Sequence, residues 1–192
     1  MLPLRGAGIL AAAIGGAGAC PRQVFRLRSS ATSNRSPGPP NTLSSHLSED
    51  RIKVPLDSTE KAGILREMCA LLSAAAGVTD RADEVLAAVA GREAVLSTGV
   101  GNGIALPHGK CPALEHLEIV AGTTREPVDF DSVDGEPVRL VVLMAGPPSA
   151  AANHVRTLGG ISRALRDERL RDKLIEAPDA VRFHELIAEA GA

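Results

Sequence analysis

The chain has 192 residues, enough for one globular domain and a terminal extension. Trp and Tyr are absent and Phe occurs three times, so the core must be aliphatic, and the aromatic platforms on which single-stranded nucleic acid stacks are missing. The first 48 residues hold five arginines and no acid, which leaves 16 basic and 23 acidic residues, a net charge of −7, in the remainder. We therefore predict no nucleic-acid partner, since an acidic domain repels phosphate backbones.

The cysteines indicate a reducing compartment. There are three of them, Cys20, Cys69 and Cys111, and no C-x-x-C pair. An odd number of widely spaced cysteines does not build a disulfide framework. We expect a cytoplasmic protein, with Cys69 in the core.

The N-terminal 42 residues differ in composition from the rest. Residues 1–20 contain an Ala/Gly/Ile run ending in Ala-Gly-Ala-Cys, which resembles a secretory cleavage or lipidation site but is too short to span a bilayer. Residues 21–40 are rich in Arg, Ser and Pro, a composition typical of disorder. The segment has three interpretations: a targeting sequence, a disordered extension without function, or residues upstream of a start codon near Leu43 or Leu47.

We predict that residues 1–42 form this extension and that residues 43–190 form one domain, without direct membrane insertion. Ile52 and Val54 alternate with polar residues as in a short strand. A helix capped by a residue of 57–59 runs to about residue 76, and a second runs from residue 80 to 91–93. Residues 116–124 and 138–145 read as strands, the second nearly continuously apolar and therefore central.

The C-terminal part of the chain returns to helical periodicity. One helix places Val155, Leu158, Ile161 and Leu165 on its apolar face, with His154 at the edge. Two more helices follow, over residues 170–175 and 181–187. The order of helix pair, strands and helices predicts an α/β sandwich.

The segment Gly99–Lys110 combines four glycines with Pro107 and His108. It is neither a dinucleotide fingerprint, because its third glycine comes one position early, nor a phosphate loop, because Cys111 follows Lys110 where Ser or Thr is required. Pro107 fixes its own φ and favours an extended residue before it. We therefore expect His108 to be exposed at the end of a strand-like piece.

Three side chains are candidates for chemistry. A neutral imidazole at His108 is a good nucleophile that can accept and return a phosphoryl group; the alternative is a turn histidine bonded to local backbone. Arg92 can pair bidentately with phosphoryl oxygens, or can be a solvated arginine at a helix end. His154 can donate a hydrogen bond to a group on His108, or can be a partly buried helix histidine.

A metal site is the weakest candidate. His108, Cys111 and His116 give three possible ligands in one loop, fewer than a structural zinc site requires. We predict no metal and no cofactor. His46 and His184 are expected to face solvent.

The nineteen residues from Arg92 to Lys110 (REAVLSTGVGNGIALPHGK) closely resemble the active-site segment of enzyme IIA of the fructose/mannitol class, in the phosphoenolpyruvate-dependent phosphotransferase system. The sequence of this motif is most similar to that of the nitrogen-regulatory branch. The resemblance implies a mixed β-sheet flanked by helices on both faces, in a single α/β domain. It also implies that His108 is the phosphoryl acceptor, that Arg92 neutralises the phosphoryl charge, and that His154 donates a hydrogen bond to it.

The same resemblance implies partners. A histidine phosphocarrier protein would be the donor, and a regulatory target or a separate IIB protein the acceptor. We expect a regulator of the nitrogen-regulatory type. The alternatives are a sugar-transport enzyme IIA, a regulator that acts by contact without phosphorylation and, most distant, an unrelated histidine-dependent hydrolase, for which no Ser/His/Asp arrangement is readable.

Overall fold

The computed structural model describes residues 43–191, and the predicted extension 1–42 lies outside them. Within this range six strands form one mixed sheet, and no helix is long and apolar enough to cross a membrane. The helices are α1 (Leu43–His46), α2 (Lys61–Ala75), α3 (Ala82–Val95), α4 (Ala151–Ala164), α5 (Glu168–Ile175) and α6 (Ala180–Ala190). The strands are β1 (Ile52–Lys53), β2 (Gly99–Gly101), β3 (Ile104–Ala105), β4 (His108–Lys110), β5 (Glu118–Val128) and β6 (Val138–Gly146).

Strand β6 is the centre of the sheet, as its continuous apolar run predicts. The strand order is β1-β5-β6-β3-β2, and β4 pairs with β6 beyond the end of β3. β5 runs antiparallel to β6, whereas β3 and β4 both run parallel to it. The register places His108 beside Met144 and Lys110 beside Gly146.

Alternate residues of the sheet enter two separate aliphatic cores. Val141 and Leu143 belong to the cluster that α2 and α3 cover, and Val142 and Met144 belong to the cluster beneath α1, α4, α5 and α6. This period of two is what a strand buried on both faces requires. The predicted fold, a mixed sheet flanked by helices on both faces, is therefore confirmed.

Helix α2 begins at Lys61, later than the predicted cap at residues 57–59. The carboxylate of Glu67 accepts hydrogen bonds from the backbone N–H groups of Asp57 (2.9 Å) and Ser58 (3.0 Å), which gives these groups a partner outside a helix. Helix α3 continues beyond its predicted end to Val95, so that Arg92 lies in its last turn.

The orientation predicted for α4 is wrong at two positions. Val155 is 72% exposed, whereas His154 is only 6% exposed. The buried side is formed by His154, Thr157 and Ile161, three to four residues apart. Val155 is one position from His154 and therefore turns to solvent.

Candidate functional site

A pocket of about 500 Å³ lies where α3, β4 and α4 meet. It brings together the three residues that the sequence singles out, although they come from positions as much as 62 residues apart. The lining residues are Ala88, Arg92, His108, Gly109, Lys110, His154, Val155 and Leu158.

The glycine segment reaches the pocket through a tight reversal. Gly101, Asn102 and Gly103 have φ values of 93°, 55° and 72°, in the left-handed region that glycine and asparagine tolerate best. This turn joins the antiparallel strands β2 and β3. The Pro107 carbonyl then accepts a hydrogen bond from Met144 N (2.9 Å), so pairing with β6 continues from β3 into β4.

Gly109 brings β4 close to the backbone of α3. A Cβ atom at this position would lie 2.9 Å from the carbonyl carbon of Ala88 and 2.9 Å from the nitrogen of Val89. Only glycine allows this approach without displacing the helix. Strand residues alternate in direction, so His108 and Lys110 project to the opposite side of β4, the side on which His154 lies beside His108.

His108 is half-buried at the start of β4, rather than fully exposed as expected. Its Nδ1 lies 3.0 Å from the carbonyl oxygen of Leu106. A carbonyl oxygen can only accept, so Nδ1 carries the hydrogen in the neutral ring, and Nε2 keeps a free lone pair. The sequence presents a histidine bonded to local backbone and a nucleophilic histidine as alternatives. In the structure the two are compatible, because Nδ1 makes the backbone bond and Nε2 remains free.

His154 packs against His108. The two ring centroids are 5.5 Å apart at an interplanar angle of 64°, an edge-to-face arrangement. Burial, together with the nearby charges of His108 and Lys110, lowers the pKa of His154 below its ordinary value. The ring is therefore mainly neutral at pH 7, and one of its nitrogens is a hydrogen-bond donor.

Arg92 forms the α3 wall of the pocket. Its Nη1 donates to the carbonyl oxygen of Leu96 (2.8 Å), the residue that directly follows the helix. A guanidinium carries five N–H donors, so this single bond orients the group and leaves further donors for a ligand.

Lys110 is a pocket residue that sequence reasoning did not single out. Its position two residues after His108, in a strand, was the available signal, because such residues share a side. Lys110 is exposed and contributes a second permanent cation beside Arg92. Among the described residues that line the pocket, none is acidic, in a domain that is acidic as a whole. The site thus has the electrostatics of an anion-binding pocket.

The three residues considered as zinc ligands do not form a site. Cys111 is buried and His116 is exposed, and in residues 43–191 no three His, Cys, Asp or Glu side chains lie close enough together to hold a metal ion. His46 and His184 are half-buried rather than solvent-facing. Cys69 is buried, as predicted.

A second cluster of charges lies beside the pocket, on the next residue of α3. Glu93 is 8% exposed and accepts hydrogen bonds from Thr98 N (3.1 Å) and Lys61 Nζ (2.8 Å). Lys61 also reaches Asp131 at 2.9 Å. Burial opposes ionisation of Glu93, but the bonds from Lys61 and Thr98 outweigh it and hold the pKa of this carboxyl below its usual value.

Comparison with known proteins agrees with this fold. The sequence model of the family described as "Phosphoenolpyruvate-dependent sugar phosphotransferase system, EIIA 2" matches residues 45–190. A nitrogen regulatory protein of Bradyrhizobium diazoefficiens is 37% identical over 133 residues, which are 69% of this chain and 86% of that protein. A fructose-specific EIIABC component of Bacillus subtilis is 35% identical over 131 residues, 68% of this chain but 20% of that protein.

Comparison with solved structures gives the same family resemblance. The nitrogen regulatory protein IIA-Ntr of Neisseria meningitidis matches with a TM-score of 0.69 at 26% identity, over 75% of this chain and 97% of that one. The fold and the pocket define an α/β protein in which two histidines, an arginine and a lysine line one pocket. The chain belongs to the EIIA type 2 family of the phosphoenolpyruvate-dependent sugar phosphotransferase system.

Proposed function

We propose that this protein is a phosphocarrier whose His108 accepts a phosphoryl group from a histidine-phosphorylated carrier protein. The observation that carries the proposal is the pocket itself, in which two histidines meet two cations and no acid. A phosphoryl group bound to nitrogen carries about two negative charges. Such a group needs alignment and charge neutralisation more than new covalent machinery.

Each residue has a distinct part in the proposed transfer. Nε2 of His108 attacks phosphorus while Nδ1 keeps its hydrogen on the Leu106 carbonyl. Arg92 and His154 donate hydrogen bonds to the phosphoryl oxygens, each contributing roughly 1.5–3 kcal/mol. The negative charge of the phosphoryl group raises the pKa of His154, so this ring becomes a stronger donor in the phosphorylated state than in the empty one.

The donor is a protein that fits an apolar, cation-lined depression on an acidic domain. Ala88, Val155 and Leu158 provide the apolar surface of the pocket, and the surrounding acidic charge favours a basic carrier face. We place the reaction in the cytoplasm, where phosphoenolpyruvate-dependent donors operate.

Downstream, we propose a regulator of the nitrogen-regulatory type, whose phosphorylation state is read by a target protein. The support is the nitrogen regulatory relative from Bradyrhizobium diazoefficiens, matched over 86% of its length. A sugar-transport role is the second candidate, because the Bacillus subtilis relative is named a fructose-specific EIIABC component. In that case the acceptor is a separate IIB protein.

The test is phosphoryl transfer from phosphoenolpyruvate through enzyme I and a histidine carrier to the full chain. We expect an acid-labile, base-stable label that His108→Ala abolishes. His116→Ala is the matched control, because His116 is an exposed histidine outside the pocket, and it should label like the wild type. Full labelling of His108→Ala would refute the assignment of the acceptor.

The same labelled protein separates the two downstream roles. Purified IIB proteins are added, and the label is followed. Rapid loss of label to a IIB protein would favour sugar transport, whereas retention with every IIB tested would favour the regulator. No label on the wild type, with a carrier that phosphorylates another enzyme IIA, would favour a regulator that acts by contact alone.

A further inference from the structure

We infer that Lys110 is a third phosphoryl-binding residue, which contacts the phosphoryl group on His108 together with Arg92 and His154. The inference rests on the proposed function and extends it to a residue outside the predicted set of His108, Arg92 and His154.

The geometry of β4 places Lys110 in the pocket. His108 and Lys110 are two residues apart in the strand, and Gly109 between them faces the backbone of α3. Both side chains therefore project to the other side of the sheet, where His154 contacts His108. Lys110 pairs with Gly146 in the neighbouring strand, next to the turn that leads into α4.

Lys110 forms no ion pair with any carboxylate of the described residues. None of the ion pairs formed within residues 43–191 includes Lys110 or Arg92, whereas Lys53 and Lys61 each pair with two carboxylates. An exposed lysine without an ion partner does not destabilise the fold. Two such cations in one pocket, with no acid among the described lining residues, nevertheless favour a multiply charged anion. The effect of Lys110 on the pKa of His154 is a second sign that the ammonium group lies near the two imidazoles.

Lys110 and Arg92 reach the phosphoryl group from different elements of the fold. Arg92 is tied to the Leu96 carbonyl on α3, so it approaches the phosphoryl group from the helix side. Lys110 is on the same strand as the acceptor and carries a flexible stem. During transfer the N–P bond of the donor histidine breaks as the bond from Nε2 of His108 to phosphorus forms. Lys110 and Arg92 keep their protons and donate hydrogen bonds throughout.

The experiment compares Lys110→Gln and Lys110→Arg with the wild-type full chain. Single-turnover transfer from the phosphorylated carrier should slow about tenfold in Lys110→Gln, the loss expected for one charge-assisted hydrogen bond in a transition state. Lys110→Arg should recover most of the rate. Arg156→Gln is the control, because Arg156 is an exposed cation of α4 outside the pocket; its rate should be unchanged. A wild-type rate in Lys110→Gln would overturn the inference.

A second measurement does not depend on the carrier. The protein is phosphorylated chemically with phosphoramidate, and the phosphohistidine is followed by ³¹P NMR. Lys110→Gln should change the pH titration of the phosphoryl resonance and the hydrolysis rate, and Lys110→Arg should restore both. If the carrier fails to label the wild type but these effects are present, the proposed function fails and Lys110 remains a phosphoryl ligand. Identical spectra and hydrolysis rates, or no phosphohistidine at His108, would overturn the assignment of Lys110.

A third readout is the titration of His154 in the unphosphorylated protein. Removing the cation in Lys110→Gln should raise the pKa of His154, and Lys110→Arg should return it to the wild-type position. A purely structural role for Lys110 predicts no such charge-specific change. An unchanged His154 titration in Lys110→Gln would show that Lys110 lies too far from the imidazoles to share a phosphoryl group with them.

Discussion

Two neighbouring residues of α3 carry opposite charges and differ in how these charges are satisfied. Glu93 is buried and bonded to Lys61 and Thr98. Arg92 faces a pocket that no acidic residue of 43–191 lines, and within this range its side chain bonds to the Leu96 carbonyl alone. The two lie a fraction of a helical turn apart, so one helix end supports both clusters.

The difference indicates that the Glu93 cluster stabilises the fold, whereas the charge of Arg92 is available for the proposed phosphoryl binding. A buried carboxylate is tolerated because its bonds offset the cost of desolvation. A half-buried arginine without an ion partner adds little to stability, but its field is available to an incoming anion. The comparison predicts that substitutions in the first cluster weaken folding, and that substitutions in the second affect binding.

Gly109 offers the strongest way to break this arrangement, because it sets the distance between α3 and the acceptor strand. A Cβ at this position would meet α3 backbone atoms at 2.9 Å, which cannot move as a flexible side chain can. We expect Gly109→Ala to lower the free energy of unfolding by about 3 kcal/mol, measured by urea denaturation.

Gly91 provides the matched control within α3. A Cβ added there meets nothing within 4 Å, so Gly91→Ala should stabilise the protein by about 0.5–1 kcal/mol through helix propensity. Equal stability of Gly109→Ala and the wild type would mean that β4 and α3 separate easily, and the pocket would then not be preorganised.

Glu93→Gln and Arg92→Gln test the comparison directly. Glu93→Gln leaves Lys61 without its buried partner, and we expect a loss of about 2 kcal/mol in the free energy of unfolding. Arg92→Gln should change stability by less than about 0.5 kcal/mol, while slowing the proposed phosphoryl transfer at least tenfold.

Glu84→Gln serves as the control for Glu93→Gln. It is the same substitution on the same helix, but the Arg81–Glu84 pair is exposed, and such pairs contribute little. If Arg92→Gln destabilised the fold as much as Glu93→Gln, the division between structural and ligand-binding charges would be wrong.

A smaller effect concerns a paired cluster that does not line the pocket. Burial raises the pKa of Glu67, but bonds from Lys53, Asp57 and Ser58 outweigh it and lower the value to about 2. A carboxyl whose pKa is depressed by folding stabilises the folded state above its ordinary pKa, 4.5 here, and loses this contribution as pH falls towards about 2.

We therefore expect Glu67→Gln to cost about 1 kcal/mol at pH 6 and progressively less at lower pH. The measurement is urea unfolding of both proteins at pH 6 and pH 3. A cost that stays constant between these two values would show that the negative charge of Glu67 is not what holds the backbone at Asp57 and Ser58.

Much of the fold was predictable because it depends on local pattern. The apolar run of β6 predicts a central strand, and the segment Gly99–Lys110 contains His108, which the fold places in the pocket. The paired cluster around Glu93 was not predictable, because its partner Lys61 is 32 residues away and no local pattern links the two. The orientation of Val155 was predicted wrongly because the sequence pattern of α4 is compatible with two alternative buried faces, offset by one residue. Only tertiary packing selects between them.

The continuous pairing of β6 with β3 and then β4, across Pro107, has a consequence for how partners are recognised. An acceptor that is part of a sheet needs no ordering when a partner arrives, so binding energy is not spent on arranging the loop. In the proposed transfer, every donor or target meets the same atom in the same place. Discrimination among partners must then come from the surrounding surface, where Val155 and Leu96 are 72% and 64% exposed. Evolution can alter those side chains, and with them the choice of partner, while the reactive centre stays unchanged.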